Sequence, residues 1–141
     1  MGEACLAAHK VWIKPEIPDG KPTVYGWCVR HPENFVLAPN TDIGFGTYIQ
    51  AEYGVTIEEG VQIGSNCSIY SISTINNVKG SICLKKNCKI GSHSLIMPGV
   101  TVGENAVVGA FSYVDFNVLP NRTYIPQQRF KVKVEVGKDE T

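Results

Sequence analysis

Between residues 84 and 114 an aliphatic side chain returns at every sixth position, Leu84, Ile90, Ile96, Val102, Val108 and Val114, without a slip. Six is not a helical period. An amphipathic helix needs apolar residues three and four apart, and this stretch also carries Gly91, Pro98, Gly99, Gly103 and Gly109. Simple alternation does not persist either, because each short apolar pair, such as Leu95-Ile96 or Val107-Val108, runs into a turn bearing Gly or Pro. What remains is short strand, tight turn, short strand: an all-β solenoid whose rungs bury their apolar faces only by stacking on one another.

A second signal has the same period. Four residues after each aliphatic stands a small or modest side chain, Cys88, Ser94, Val100, Ala106 and Ser112, as a narrow interior with two inward positions per hexad requires. Gly follows the aliphatic at Gly91, Gly103 and Gly109, where a tight corner favours backbone freedom. The same grammar runs through Leu37, Ile43 and Ile49 and, after a two-residue slip, through Ile57, Ile63 and Ile69, with Thr47, Val61 and Cys67 in the small slot. It breaks over residues 70–83, "YSISTINNVKGSIC", a polar stretch containing Asn76-Asn77 and Lys79-Gly80 that reads as a loop thrown out of the coil. Loops on a rigid scaffold are where function is usually carried.

"IGSHSLIMPGVTVGENAVVGAFSYV" resembles the late coils of the xenobiotic, galactoside and maltose acetyltransferase group, and "HPEN" at 31–34 resembles the segment that opens their first coil. The resemblance, over about residues 31–125, is to the left-handed parallel β-helix acyltransferases with hexapeptide repeats, including those that N-acetylate nucleotide-linked amino sugars. It implies a prism of three short parallel sheets, about three hexads per turn, assembled as a homotrimer with active sites between subunits and acetyl-CoA as the acyl donor. The chain then divides into an N-terminal arm or cap at 1–36, β-helix coils at 37–118 with the loop at 70–83, and a C-terminal tail strand at 119–141.

Composition sets limits. A chain of 141 residues makes one domain. Its formal charge of zero and charged fraction of 18% do not point to a nucleic-acid groove or an anionic membrane surface. There is no apolar run of membrane-spanning length and no basic-then-apolar opening segment, so a cytoplasmic location is expected. The five cysteines form no CxxC pair, which argues against a metal site and a disulfide framework; Cys67 and Cys88, on the small slot, read as buried hydrophobes.

Two segments lie outside the coils. Residues 11–30 show a Pro18-Asp19-Gly20 turn between strand-like runs, a hairpin or extended arm able to cap the open first rung; Trp12, Tyr25 and Trp27 serve such a cap or stack on a nucleotide base. At the other end, Phe130, Val132, Val134 and Val136 alternate with charged neighbours as in a half-buried strand.

Acetyl transfer from a thioester needs a deprotonated nucleophile, donors for the developing oxyanion and a berth for the pantetheine arm. In the group this chain resembles, a loop histidine upstream of the late coils is the base for a hydroxyl acceptor, and here residues 70–83 contain none. The candidates are His93, in "IGSHSL", and His31, before Pro32; a corner residue and a turn residue are the competing readings, and His9 lies in the leader. A sugar amine, with a pKa of about 8, is partly neutral at pH 7 and attacks without a strong base. The missing histidine therefore favours N-acetylation over O-acetylation, with a non-catalytic scaffold as the other alternative. Asn76 and Asn77 are candidates to orient the acceptor. The resemblance assigns pantetheine to the corner at Gly109 and Ala110, where Phe111 replaces the usual Gly. Arg129 and Lys131, with Lys133, are candidate partners for coenzyme phosphates, in a tail lacking the family's Gly-x-Pro-Ala-Lys-like segment.

Overall fold

The computed structural model describes residues 11–126. The chain winds into a parallel β-solenoid of three faces, in keeping with the left-handed β-helix expected from the repeat. The first face stacks five strands, Cys28–Arg30, Tyr48–Gln50, Ser68–Tyr70, Leu95–Ile96 and Tyr113–Val114. The second stacks Phe35–Leu37, Val55–Ile57, Ile82–Leu84 and Thr101–Val102, and the third Asp42–Ile43, Gln62–Ile63, Lys89–Ile90, Val107–Val108 and Thr123–Tyr124. Strands this short bury at most two residues apiece. Stability must come from the columns those residues form between rungs.

The hexad aliphatics are those columns. Val29, Ile49, Ile69, Ile96 and Val114 face one another up the first face, Leu37, Ile57, Leu84 and Val102 up the second, and Ile43, Ile63, Ile90 and Val108 up the third. All are buried. The small slot also points inward: Thr47, Cys67, Ser94 and Ser112 are buried under the edge joining the third face to the first. Their polar atoms are satisfied, Thr47 Oγ1 donating to Gly64 O at 2.8 Å, and Ser94 and Ser112 hydroxyls to Gly109 O at 3.2 and 2.6 Å. Along the second face the corresponding slot holds Phe35, Val55 and Ile82, larger than the pattern predicts. There the chain spends eight residues, not six, between inward aliphatics, from Val29 to Leu37 and from Ile49 to Ile57. The wider edge accommodates the larger side chains, and this is the physical meaning of the two-residue slip.

Cys88 lies fully inside this core, where burial pushes its thiol up to about 12. A folded pKa above the unfolded value near 9 means stability is intact below pH 9 and lost as pH climbs from there toward 12. We expect Cys88 to resist a thiol reagent at pH 8 while the half-buried Cys28 and Cys83 are modified faster, as mass spectrometry of the labelled peptides will show.

Corners obey one rule. Three residues after an inward aliphatic the backbone turns left-handed, and Gly or Asn supplies it at Asn40, Gly46, Gly60, Asn66, Asn87, Gly99, Asn105 and Asn121. On the six-residue steps His93 and Phe111 stand at that position instead, and on the wider step after Val29 the left-handed residue is His31.

The N-terminal segment is an extended arm over residues 11–18 that then doubles back through a turn at 24–26, with Thr23 N donating to Trp27 O at 2.7 Å. Asp19 and Pro22 make only isolated bridges to Val29 and Cys28, and residues 11–18 have no regular structure. It closes the first rung of its own chain: Trp12 packs against the core and its indole N–H donates to Thr41 O at 3.0 Å, while buried Trp27 meets Phe35 edge to face. Regular stacking already begins at Cys28, before the Leu37 where the hexad count starts. The alternating run 130–136 lies outside the described residues.

Candidate active site

Where Ile69 would otherwise turn directly onto the second face, the chain leaves the coil as a two-stranded antiparallel hairpin, Ile72–Ser73 paired with Val78–Lys79. Polar residues with no inward aliphatic cannot stay on a rung, so they pair with each other instead. The ends of the excursion meet, Gly80 N donating to Ser71 O at 2.9 Å, and Ser71 is fixed to the rung below through Gln50 O at 2.9 Å from its amide and 2.7 Å from its hydroxyl. Tyr53 N donates to Ser71 Oγ at 3.0 Å, and Lys79 Nζ sits 5.1 Å from the Tyr53 ring centre. Asn76 and Asn77 occupy the tip, exposed, Asn77 in the left-handed turn position beside a fully exposed Ile75.

Beneath the hairpin a groove of about 260 Å³ opens on the first face, walled by Tyr48 and Tyr70 with Gln50 between them and roofed by residues 72–75. The tyrosine rings meet edge to face, 6.0 Å apart at 70°. Burial is the main cause that holds the Tyr48 phenol above its ordinary value, so it is a neutral hydrogen-bond donor at physiological pH.

His31 lies on the same edge of the prism, two rungs below. Its backbone is left-handed although a proline follows, an arrangement its neighbours enforce: its amide donates to Asp19 Oδ1 at 3.1 Å, and Asp19 also accepts from Arg30 Nε at 3.2 Å. The His31 amide is the main cause holding the Asp19 carboxyl below its usual value. The imidazole stands between two carboxylates, Nδ1 3.2 Å from Glu33 Oε2 and Nε2 3.9 Å from Glu52 Oε1.

His93 is elsewhere, on the edge joining the third face to the first, where its ring stacks on Phe111 of the next rung, 4.9 Å between centres and 3° from parallel. Gly109 and Ala110 adjoin this edge and line a groove of about 430 Å³ along the third face, whose floor is the glycines Gly64, Gly91 and Gly109. The Gly109 N–H donates to Tyr124 O at 2.8 Å and its carbonyl takes the two serine hydroxyls, so the backbone of Gly109 is spent on the fold, while Ala110 beside it is exposed. The glycines leave a strip bare of side chains for a slim chain, beside the outward Asp42, Gln62 and Lys89 that also line the groove. The candidate residues thus fall into two groups at opposite margins of the first face, Asn76, Asn77 and His31 at one and His93, Gly109 and Ala110 at the other. Arg129, Lys131 and His9 lie outside the described residues. Among the described residues no three His, Cys, Asp or Glu side chains are arranged to hold a metal ion.

Tyr48 and Tyr70 were not visible as a pair in the sequence. The signal was present: each flanks an inward isoleucine, Tyr48 before Ile49 and Tyr70 after Ile69, and outward positions of successive rungs become neighbours.

Residues 84–115 match the family described as bacterial transferase hexapeptide (six repeats). The chain is 32% identical over 122 residues to galactoside O-acetyltransferase of Escherichia coli (strain K12), taking in 80% of this chain and 55% of that protein. It is 31% identical over 105 residues to bifunctional protein GlmU of Brevibacillus brevis, 72% of this chain and 22% of that one. It therefore spans about half the length of the first relative and less of the second. Among solved structures, a mutant of AntD, an N-acyltransferase from Bacillus cereus in complex with dTDP and coenzyme A, shares the fold with a TM-score of 0.62 at 21% identity, over 79% of this chain and 78% of that one. Serine acetyltransferase isoform 3 from Entamoeba histolytica, in complex with cysteine, does so at 0.57 and 17% identity, over 80% and 40%. The matched stretch is the one whose inward aliphatics, small slots and left-handed corners build the late rungs of all three faces, and over residues 84–115 the chain carries the repeat described as bacterial transferase hexapeptide.

Proposed function

We propose that this protein is an acetyl-CoA-dependent acetyltransferase that N-acetylates a nucleotide-linked amino sugar for cell-surface glycan synthesis, in the cytoplasm. The observation that carries the reading is the hairpin edge itself: the solenoid's excursion overhangs a tyrosine-walled groove and brings no histidine to it. In the reaction the acceptor nitrogen bonds to the thioester carbonyl carbon, the carbon–sulfur bond breaks, the thiolate leaves and the nitrogen gives up its proton. An amine with a pKa of about 8 supplies the required lone pair in a fraction of molecules at pH 7. A hydroxyl does not, and waits on a base. The glycine strip of the third face, with exposed Ala110 at its margin, fits the pantetheine arm of the donor, which supplies the activated acyl group when bound.

Donor groove and acceptor edge lie at opposite margins of one face. Six residues of chain separate equivalent edges, up to about 20 Å when extended, so one subunit alone holds the two substrates apart. This supports a homotrimer in which the donor margin of one protomer faces the acceptor margin of the next.

A second reading, sugar O-acetylation, is favoured by one observation. The imidazole of His31, held by Glu33 at 3.2 Å, is the kind of histidine–carboxylate pair that hydroxyl activation uses. The test is to supply acetyl-CoA with a nucleotide-linked amino sugar and, separately, with its hydroxyl counterpart, and to follow thiol release. We expect turnover of the amine alone, changed only a few-fold by His31→Ala. Turnover of the hydroxyl alone, lost by about 10²–10⁴ in His31→Ala, would move the assignment to O-acetylation. Calorimetry that shows no heat with acetyl-CoA would make the solenoid a scaffold.

A further inference from the structure

We infer that the outer surface of the first face, from Arg30 up to the underside of the hairpin, is a subsite for the nucleoside diphosphate of the acceptor. This rests on the acetyltransferase reading and places the carrier within it. Register puts Arg30, Gln50 and Tyr70 in single file on three successive rungs, with Tyr48 in the adjacent file. The inward isoleucines already fill the core, so these half-buried outward rings are not needed to close it. Here two rings stand together on the outside and wall a groove.

Each end of the file suits one end of a nucleoside diphosphate. At the hairpin end the edge-to-face pair Tyr48 and Tyr70 walls a recess with Ile72 and Ile75 that a flat heterocycle can enter to stack on a tyrosine, and Ile75 meets so little protein that it remains 98% exposed. Gln50 Oε1 is taken by the Glu52 amide at 2.8 Å, which turns the side-chain N–H₂ toward a ligand as a donor to a base carbonyl. At about 260 Å³ the groove is smaller than a site for a whole drug-sized ligand, and of a size for a base with part of its ribose.

The rest of the ligand must lie along the face. Arg30 sits two rungs below Tyr70, about 10 Å at the strand spacing of a sheet, a separation that a base and its second phosphate can span. Asp19 holds Arg30 through Nε, which fixes the plane of the guanidinium and leaves its outer nitrogens for the bidentate contact that phosphate oxygens favour. A diphosphate at Arg30 keeps the carrier on the first face below the hairpin edge where acceptor chemistry is proposed.

The experiment is calorimetry of the full-length protein with dTDP, UDP and GDP, each without sugar, and with acetyl-CoA in parallel. We expect one nucleotide to bind, Tyr70→Ala to weaken it at least tenfold by removing the stacking face, and Arg30→Gln to weaken the diphosphate at least tenfold while narrowing its advantage over the bare nucleoside. Tyr70→Phe should keep most of the affinity, and all three variants should bind acetyl-CoA within twofold of the parent. Nucleotide binding that is indifferent to Tyr70→Ala and Arg30→Gln would put the carrier elsewhere and overturn the inference. Acetyl-CoA binding with no nucleotide binding would overturn it too, leaving the acetyltransferase reading standing. Failure of both titrations would remove the acetyltransferase reading along with it.

Discussion

Gly91→Ala will cost the protein about 3 kcal/mol, near the upper end of what overpacking usually costs, and lower its melting temperature by about 10 °C. The methyl has nowhere to go. A β-carbon on Gly91 would press on the Ala110 amide nitrogen and lie 2.7 Å from its Cα, both backbone atoms of the next rung. That rung cannot retreat, because Gly91 N is bonded to Val108 O at 2.7 Å and the inward column Ile63, Ile90, Val108 sets the spacing of the face. Gly64 faces the same constraint against Ser92, so the glycine floor of the third face is a packing requirement as well as a candidate berth for the donor. Gly99→Ala is the control. Its β-carbon would meet nothing within 4 Å, and only the left-handed φ of 83° is strained, a cost of about 1 kcal/mol. Chemical denaturation of the two variants measures both. Equal losses would mean that corner conformation, and not contact between rungs, limits the stack.

What the sequence showed follows from what repeats. The aliphatics at Leu84 through Val114 and the small residues at Cys88 through Ser112 are dictated by one interior, so they recur at one interval and could be read without coordinates. The earlier rungs were harder because the edge between the first and second faces takes eight residues, which moves Ile57 off the sixfold count set by Ile49. The break at residues 70–83 could be recognised as an excursion, yet not as a hairpin, since Ile72–Ser73 and Val78–Lys79 pair with each other through a register that hexads do not encode. Features of the candidate site belong to neighbouring rungs. Tyr48 and Tyr70 are 22 positions apart and become neighbours only because one rung advances by 20 residues. His31 and the hairpin share an edge, while His93, of the same residue type, occupies another and spends its ring on Phe111. Composition cannot distinguish those histidines; the winding of the chain does.

His93 and Phe111 show how a broken rule points at a margin. Each adopts a left-handed turn that the other six-residue corners assign to Gly or Asn, at about 1–2 kcal/mol apiece, and a pair of stacked rings returns about 0.5–1.5 kcal/mol. The balance does not favour them on stability alone. Phe111 is also 71% exposed, so it repays little by burial. The two departures fall together, next to Ala110 on the proposed donor margin, where an exposed ring stands in place of a glycine.

Excising the hairpin, residues 72–79, will abolish transfer to the acceptor while leaving the solenoid folded. The strand registers give the reason. From Val29 to Ile49 and Ile49 to Ile69 a rung takes 20 residues, from Ile96 to Val114 it takes 18, and the rung that carries the hairpin takes 27 from Ile69 to Ile96. Removing eight leaves 19, between the lengths the prism already closes. Ser71 and Gly80 are in contact in the intact protein through their 2.9 Å hydrogen bond, so the new peptide link joins groups that are already neighbours. Neither Ile69 nor Ile82 is removed, and the antiparallel strands bury almost nothing, Val78 and Ile75 both being exposed. The melting temperature should fall by only a few degrees, on the scale of about 1 kcal/mol for a domain of this size. Acetyl-CoA binding should persist, because the third-face groove lies at the opposite margin. Acceptor turnover should drop by at least a hundredfold, since the groove loses its roof together with Asn76 and Asn77, and misplaced reactants forfeit much of the advantage of being held in place. A shortened protein that melts normally, binds acetyl-CoA and still acetylates at the parental rate would show that the excursion has no part in the chemistry and that the acceptor site belongs on another edge of the prism.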